Sequence, residues 1–171
     1  MKIMVASDIH GSAKWARRIV GTFGSERADR LLLLGDILYH GPRNDLPEEY
    51  APKEVIKILN DMKDKIMAVK GNCDAEVDQM VLKFPITAEY LWIESEGLMI
   101  YATHGTHLDP DAPPAFLKKG DILLSGHSHE ARDEYWGEIR YMNPGSPSLP
   151  KNGTAPSYII IDKGSAELKR F

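Results

Sequence analysis

Short apolar runs that close on glycine or a polar residue recur along the chain and predict strands at residues 2–7, 30–36, 65–69 and 121–125. In the second of these, Leu31 to Leu34 show neither alternation nor a helical stripe. Both faces of that segment therefore need burial, which is typical of an interior strand in a parallel or mixed sheet. Apolar positions at helical spacing predict helices over residues 12–23, with Ser12 as the cap, and over residues 52–62, with Pro52 in the first turn.

The second half of the chain is richer in strands than the first. Residues 89–95 and 98–104 flank a Glu-Gly turn, and residues 157–162 and 166–171 flank a Lys-Gly turn, so both pairs predict hairpins. Residues 132–143 carry a further turn, and residues 75–82 predict a short helix. The proline-rich stretch 38–52 predicts a long loop, which in a compact domain usually serves function. We expect an α/β protein with two packed sheets, helices outside, and a single domain over residues 1–171.

Composition and charge narrow the classes of function. The net charge of −4 argues against a broad nucleic-acid surface, so a phosphate-bearing substrate needs a local positive charge, for which a metal is one candidate. The single cysteine, Cys73, excludes an internal disulfide and fits a reducing compartment. No stretch approaches the ~20 apolar residues of a membrane span, so we expect no membrane association and a cytoplasmic location.

Polar side chains follow five of the predicted strands, and all of them are potential metal ligands: Asp8, His10, Asp36, Asn72, His104, His127 and His129. Any one of these short motifs is weak evidence, because isolated motifs match by chance. The whole set, however, forms a nitrogen and oxygen donor group that is too large for one metal. It suits two ions about 3.5–4 Å apart that share a bridging carboxylate. Asp36 follows a buried strand, where a carboxylate is costly without a cation or several donors, so it is the candidate bridge.

Five short motifs follow one another along the chain: Asp8-x-His10, Gly35-Asp36, Gly71-Asn72, His104-Gly105 and the Gly-His-Ser-His run at 126–129. Together and in this order, they resemble the motifs of the calcineurin-like metallophosphoesterases. Residues 40–44 and 71–80 resemble the small bacterial phosphodiesterases of that family. The resemblance implies a four-layer α/β/β/α sandwich of two mixed sheets, the metallophosphoesterase fold, with a dinuclear site at their carboxyl edges. It assigns one ion to Asp8, His10, Asp36 and His129, and the other to Asp36, Asn72, His104 and His127.

The same resemblance implies further site residues. Asp74 would orient a ligand, Arg43 would bind a phosphate oxygen, and His40 would lie near the leaving group. Arg43, His40 and Asn72 are thus the candidate substrate-binding residues, although a solvent-exposed loop explains Arg43 equally well. Many relatives have a histidine where this chain has Cys73, which leaves the general acid open; Cys73 is either catalytic or a small buried residue.

A second departure from the family pattern concerns His107, which follows His104 and Gly105 after one additional residue. His107 is either a displaced motif histidine or a residue of a solvated loop, and the second interpretation needs no placed partner.

The resemblance therefore predicts a metal-dependent phosphoric diester hydrolase in which a hydroxide that bridges the two metals attacks a small-molecule phosphodiester. The expected ion is Mn²⁺, with Zn²⁺, Fe²⁺ or Ni²⁺ as alternatives. Two other functions stay open: a phosphomonoesterase or nuclease of the same fold, and a non-catalytic protein-binding scaffold. A homo-oligomer is also compatible with the sequence.

Overall fold

The computed structural model of the chain describes residues 1–109 and 111–171. Ten strands form two five-stranded mixed sheets. The strands are β1 (Ile3–Ala6), β2 (Arg30–Leu33), β3 (Ile66–Ala68), β4 (Tyr90–Ser95), β5 (Leu98–Thr103), β6 (Ile122–Leu124), β7 (Ala131–Trp136), β8 (Ile139–Pro144), β9 (Ser157–Asp162) and β10 (Ser165–Arg170). The α-helices are α1 (Ala13–Glu26), α2 (Pro52–Asn60) and α3 (Glu76–Gln79), with a 3₁₀ turn at Lys63–Lys65.

The first sheet has the order β10-β9-β1-β2-β3, and the second has the order β4-β5-β6-β8-β7. Strands β1, β2 and β3 run parallel, as do β5, β6 and β8, whereas β4, β7, β9 and β10 pair antiparallel with their neighbours. Parallel neighbours end at the same edge of a sheet, so the loops that follow β1, β2 and β3 converge there.

Both faces of the segment Leu31–Leu34 are buried, as the sequence predicts. Leu32 and Leu34 pack between the two sheets, against apolar residues of β5, β6 and β8. Leu31 and Leu33 face the other way, into the layer formed by α1 and α2. All four are at most 1% exposed, which explains why the run shows no alternation.

The outer face of the second sheet differs from that of the first. Its buried residues, among them Leu123, Trp136 and Tyr141, pack with Leu108 and Leu117 of the segment between β5 and β6. The described part of that segment forms turns rather than a helix. Of the α-helices in the described ranges, α1 and α2 pack on the first sheet, so the layer over the second sheet is a packed loop.

Several element boundaries differ from the predicted ones. The predicted strand over 30–36 ends at Leu33, because the backbone turns before Asp36, and the predicted helix over 75–82 spans only Glu76–Gln79. Helix α1 continues to Glu26. Ser12 is its N-cap as predicted, and the Ser12 hydroxyl also donates to the Glu48 carbonyl at 2.6 Å. Among the described residues, no helix combines the length and the hydrophobicity needed to cross a bilayer.

Candidate metal centre

The structure brings the seven predicted ligands to one edge of the two sheets. Asp8 and His10 follow β1, Asp36 follows β2, and Asn72 follows β3 in the first sheet. His104 follows β5, and His127 and His129 follow β6 in the second. The two sheets pack face to face through their shared apolar core, so the carboxyl ends of their parallel strands meet in one place.

The first half of the cluster contains Asp8, His10 and His129, all of which are buried. The Nε2 atoms of the two imidazoles lie 3.0 Å apart. Asp8 Oδ1 lies 3.4 Å from His129 Nε2 and 3.7 Å from His10 Nε2. Three ligand atoms thus surround a common point at distances that a single ion can bridge.

The second half contains Asn72, His104 and His127. Asn72 Oδ1 lies 2.9 Å from His104 Nε2 and 2.7 Å from His127 Nδ1. Asp36 lies between the halves: its Oδ2 is 3.7 Å from His10 Nε2, and its Oδ1 is 3.6 Å from His104 Nε2. Asp36 therefore presents one carboxylate oxygen to each half.

Backbone carbonyl groups fix the orientation of three imidazoles. The Nδ1 atoms of His10, His104 and His129 lie 2.7, 2.6 and 2.9 Å from the carbonyl oxygens of Tyr39, Leu34 and Leu149, respectively. A carbonyl oxygen can only accept, so each Nδ1 carries a proton, and each neutral ring presents the Nε2 lone pair to the centre. This hydrogen-bonding pattern is typical of histidines that bind metals.

The resulting arrangement places acceptors opposite acceptors. The lone pairs of His10 and His129 face each other and Asp8 Oδ1, which is buried without a hydrogen-bond partner among the described residues. His104 likewise presents a lone pair to the Asn72 carbonyl oxygen. Such groups repel unless a positive charge, a proton or a metal ion, lies between them. The residues present therefore fit a divalent metal.

The titration behaviour of the cluster agrees with this geometry. Burial disfavours the Asp8 carboxylate, but the imidazoles of His10 and His129 beside it outweigh burial and hold the pKa of Asp8 well below its usual range. Burial likewise opposes the charged form of His10, yet Asp8 and the Tyr39 carbonyl raise its pKa above the ordinary value. Burial and the neighbouring His104 lower the pKa of His127. The site thus favours an anionic carboxylate and attracts positive charge.

The backbone at the ligands is unusual. Asp8, His10, Asp36, His127 and His129 all have φ between 50° and 64°, the left-handed region that non-glycine residues rarely adopt. Residues held there cost stability and occur mainly at functional sites. The turns direct these side chains into the space between the sheets immediately after each strand ends.

Two glycines allow the close approach of these loops. A Cβ atom at Gly71 would lie 2.1 Å from Asp36 Oδ1, and one at Gly126 would lie 2.6 Å from Asp8 Oδ2. Neither position has a positive φ, so the requirement for glycine there is space rather than backbone conformation.

Asp74 connects the loops after β2 and β3. Its buried carboxylate accepts hydrogen bonds from the backbone amides of Asp36 at 2.9 Å, Ile37 at 2.9 Å and Gly71 at 2.8 Å. Burial raises the pKa of Asp74 in spite of these three donors. Asp74 therefore positions Asp36 through its main chain.

Cys73 lies directly beside the centre. Its backbone amide donates to Asp36 Oδ1 at 2.8 Å, and its Sγ is within 4.8 Å of donor atoms of His10 and Asp36. Burial and the Asp36 carboxylate raise the pKa of the thiol to about 12. A divalent ion at this place would act in the opposite direction and favour the thiolate.

A polar cleft of about 520 Å³ opens on the Cys73 side of the centre; we call it the Arg43 cleft. Arg43 is exposed at its wall, with Lys151 and Glu130 on other walls. The structure does not bring His40 into this cleft. Its ring packs instead against Tyr39 and Tyr50, at 4.8 and 5.2 Å between centroids.

A second cleft, of about 460 Å³, opens on the other side of Asn72; we call it the Tyr90 cleft. Gly71, Asn72 and His104 form its inner end, and Tyr90 and Tyr101 form an outer wall. His107 is exposed and lines this cleft as a loop residue.

Sequence reasoning missed Lys151, a second positively charged residue that lines the Arg43 cleft. Lys151 reaches the Arg43 cleft because its loop is tied to His129: the Lys151 amide donates to the His129 carbonyl at 3.2 Å, and Leu149 accepts from the His129 ring. The same loop brings the hydroxyl groups of Ser146 and Ser148 to the Asp8 carbonyl, at 2.7 and 2.9 Å. No motif in the sequence signals these long-range contacts.

The sequence profile of the calcineurin-like phosphoesterase superfamily domain matches residues 1–165. This chain belongs to that superfamily. The match extends over both sheets and includes all seven residues of the centre, as the order of motifs predicts.

Comparison with known proteins confirms the resemblance to bacterial phosphodiesterases. The phosphodiesterase YfcE of Escherichia coli K12 is 48% identical to this chain, over 95% of this chain and 88% of the relative. A solved structure of E. coli YfcE, described as a phosphoesterase, matches with a TM-score of 0.90 over the same shares of the two chains. The phosphodiesterase MJ0936 of Methanocaldococcus jannaschii is 25% identical over 100% of this chain and 98% of the relative.

Proposed function

We propose that this chain is a metal-dependent phosphodiesterase whose seven clustered residues hold two divalent ions. One ion would be bound by Asp8, His10, Asp36 and His129, and the other by Asp36, Asn72, His104 and His127. The proposed ion is Mn²⁺, with Zn²⁺, Fe²⁺ and Ni²⁺ as alternatives, because nitrogen and oxygen donors accept all of them. The family and the 48% identity to a phosphodiesterase support this function.

The observation that carries the proposal is the set of facing acceptors. Carbonyl groups fix the protons of His10, His104 and His129 on Nδ1, and their Nε2 atoms converge with oxygens of Asp8, Asp36 and Asn72. This arrangement is costly for an apo protein and favourable once cations are bound. Two halves, each with its own imidazoles, and one shared carboxylate support a count of two ions.

Divalent ions in this position would polarise a phosphate ester and provide a nucleophile from water near neutral pH. The protein residues would orient the substrate around them. Arg43 would bind a phosphoryl oxygen with its guanidinium group, Lys151 would add a second positive charge, and the Asn72 amide would lie beside the same phosphate. Asp74 would hold Asp36 in register through the three amides described above.

The direct test is turnover of bis(p-nitrophenyl) phosphate after EDTA treatment and after addition of Mn²⁺. We expect no measurable turnover with EDTA and recovery with Mn²⁺. Absence of turnover with every one of the four metals would favour the protein-binding scaffold. Cleavage confined to DNA or RNA would favour a nuclease.

We expect diesters to be preferred over monoesters at least tenfold in kcat/KM. A monoester dianion needs more positive charge around it than a diester, and the Glu130 carboxylate lines the same cleft as Arg43 and Lys151. Paired p-nitrophenyl mono- and diesters measured on one preparation decide this point. A tenfold preference for the monoester would establish the phosphomonoesterase instead.

The general acid is proposed to be weak in this chain. Cys73 occupies the side of the Arg43 cleft where a leaving group would depart, and as a thiolate beside two cations it would have no proton to give. The next candidates are His40 and His107: His40 packs against two tyrosines and lines neither cleft, and His107 lines the Tyr90 cleft, away from Cys73. Rates should therefore fall steeply as the leaving-group pKa rises from aryl to alkyl diesters.

Cys73→His should make that slope shallower, because an imidazolium can protonate the departing alkoxide; general acids contribute about 10²–10⁴-fold where the leaving group is poor. Cys73→Ser is the control, since it removes the thiol without adding an acid of suitable pKa. The series is measured on all three proteins with equal metal content. An unchanged slope in a fully metallated Cys73→His protein would show that the proton comes from elsewhere.

We further propose one domain over residues 1–171 and action in the cytoplasm. Profile coverage of residues 1–165 supports the first, and the single cysteine supports the second. A single cooperative unfolding transition would support one domain, and cell fractionation tests the location. Light scattering determines the oligomeric state.

A further inference from the structure

Four aromatic rings form a continuous row on the outer face of the second sheet. Tyr90 stacks on Tyr101 with 5.5 Å between centroids and 29° between planes. Trp92 and Phe116 each contact Tyr101, at 5.2 and 5.0 Å, and contact each other at 5.4 Å. Tyr90, Trp92 and Phe116 are 53%, 45% and 57% exposed. Large aromatic groups gathered at a surface commonly mark a binding site.

The alternation of β4 and β5 explains how these rings come to the surface. Ile93, Ile100 and Ala102 face the core between the sheets. Tyr90, Trp92 and Tyr101 therefore face outward, and Trp92 pairs with Tyr101 across the two strands. In contrast to the first sheet, no helix among the described residues packs over this face, so the rings near the sheet edge stay open.

The row leads directly to the metal centre. Tyr90 pairs with Thr103, the last residue of β5, and His104 follows. Tyr101 is two residues from Thr103, or roughly 7 Å along an extended strand. Tyr90, Tyr101, Thr103 and His104 all line the Tyr90 cleft. The rings thus form a wall of a cavity whose inner end consists of Asn72 and His104.

The charges of the cleft limit what it can bind. Lys70 and Glu89 both line it, so its two opposite charges largely cancel. A second phosphate would meet the Glu89 carboxylate as well as the Lys70 ammonium group. A neutral planar ring fits better, since it can stack on Tyr90 while its polar edge meets Lys70, Glu89 or Thr103.

We propose that the Tyr90 cleft binds a planar aromatic group, such as a nucleobase, on the alcohol that stays esterified to the phosphate. This inference rests on the proposed phosphodiesterase function and names its class of substrate. A diester has two organic groups, and Asn72 lines both clefts. Arg43 and Cys73 line the other cleft, where the leaving group departs, so the retained alcohol extends toward Tyr90.

Two diesters with one leaving group test this proposal: the p-nitrophenyl ester of thymidine 5′-phosphate and methyl p-nitrophenyl phosphate. The parent should prefer the thymidine ester at least tenfold in kcat/KM. Tyr90→Ala should lower kcat/KM for the thymidine ester about tenfold, the effect expected from loss of one stacking contact, and change the methyl ester less than twofold. Tyr135→Ala removes an exposed tyrosine on β7 and should leave kcat/KM unchanged for both esters.

Binding is measured separately from turnover. Titration calorimetry of the Mn²⁺-loaded protein with thymidine 5′-phosphate and with methyl phosphate should show tighter binding of the nucleotide in the parent and no difference in Tyr90→Ala. If this result appears without any turnover, the phosphodiesterase function is wrong and the aromatic site stands.

Three results would overturn the proposal. The first is equal kcat/KM for the two esters in the parent. The second is an equal loss on both esters in Tyr90→Ala. The third is a fall in molecular mass by light scattering in Tyr90→Ala without a change in ester preference, which would identify the aromatic row as a contact between copies of this chain.

Discussion

Two clusters of charged side chains lie at opposite ends of helix α1, and they are built in opposite ways. At the C-terminal end, the Glu26 carboxylate accepts hydrogen bonds from Lys2 Nζ at 2.9 Å, Lys169 Nζ at 3.0 Å and Tyr158 Oη at 2.9 Å. Two residues before the N-cap Ser12, His10 belongs to a cluster in which Asp8 Oδ1 has no donor among the described residues.

The difference separates stability from function. Hydrogen bonds from Lys2, Lys169 and Tyr158 lower the pKa of Glu26 to about 2, so its ionised form stabilises the fold. The cluster around His10 instead brings acceptors together and places five residues at positive φ. A protein gains nothing from such an arrangement by itself, so the binding of cations has to offset its cost.

The largest effect is expected for Asp8→Asn. Loss of the carboxylate between His10 and His129 should lower kcat/KM with Mn²⁺ about thousandfold, because a bound metal provides several kcal/mol of charge stabilisation. With EDTA, the free energy of unfolding should fall far less than activity does, since an asparagine side chain can still accept from the His127 amide in place of Asp8 Oδ2, can donate to the facing imidazoles of His10 and His129, and tolerates positive φ.

Urea titration and steady-state kinetics on the same preparations measure both quantities for Asp8→Asn. Asp133→Asn, which alters an exposed ion pair on β7, is the control for activity. A loss of several kcal/mol of stability with EDTA would mean that the Asp8 cluster is structural after all.

Gly71→Ala should have the next largest effect. The new Cβ would overlap Asp36 Oδ1 and the Asp36 amide nitrogen, at 2.1 and 2.3 Å, so the loops after β2 and β3 have to separate. We expect a loss of about 3 kcal/mol or more in stability, together with weaker metal binding.

Gly21→Ala is the matched control for this change. Gly21 lies within α1, and a methyl group added there would have no neighbouring atom within 4 Å, so alanine should raise stability by up to about 1 kcal/mol. Thermal melts with and without Mn²⁺ distinguish the two glycines. An equal change in stability for Gly71→Ala and Gly21→Ala would refute the close packing of the loops after β2 and β3.

Glu26→Gln should give the smallest effect, and the effect should depend on pH. The pKa of Glu26 is about 2 in the folded protein and ordinarily 4.5, so its contribution is complete above about pH 4.5 and is lost as the pH falls toward 2. The variant should lose about 1 kcal/mol at pH 7, a value reduced for solvent screening, and approach the parent near pH 2.

Urea unfolding at pH 7, 5 and 3 measures this dependence. Glu138→Gln, which breaks an exposed pair with Lys119, should stay within about 0.5 kcal/mol at each pH. A difference between Glu26→Gln and the parent that grows as the pH falls would contradict the assignment.

The sequence was sufficient to predict the order of the strands and the set of candidate ligands. Each ligand follows an apolar run, and parallel strands bring their ends together, so Asp8, Asp36 and Asn72 could be grouped from the order of the runs alone. The Leu31–Leu34 run carried the same kind of information, because burial on both faces removes alternation.

Other features depend on contacts between distant parts of the chain. Lys151 reaches the Arg43 cleft because its backbone amide bonds to His129, and the His40 ring packs against Tyr50. No local sequence pattern predicts either position. The hairpin of β4 and β5 was predictable, whereas its row of exposed rings was not, since that depends on a loop rather than a helix over the second sheet.

The most direct test of the account is the number of metal ions per chain in the parent and in Asp36→Asn. Asp36 presents one oxygen to His10 and the other to His104, so the amide should weaken both sites. Calorimetric titration with Mn²⁺, checked by elemental analysis after gel filtration, should give two ions for the parent and less than one for Asp36→Asn. Only one ion in the parent, or loss of one ion while the other keeps its affinity, would contradict the shared carboxylate.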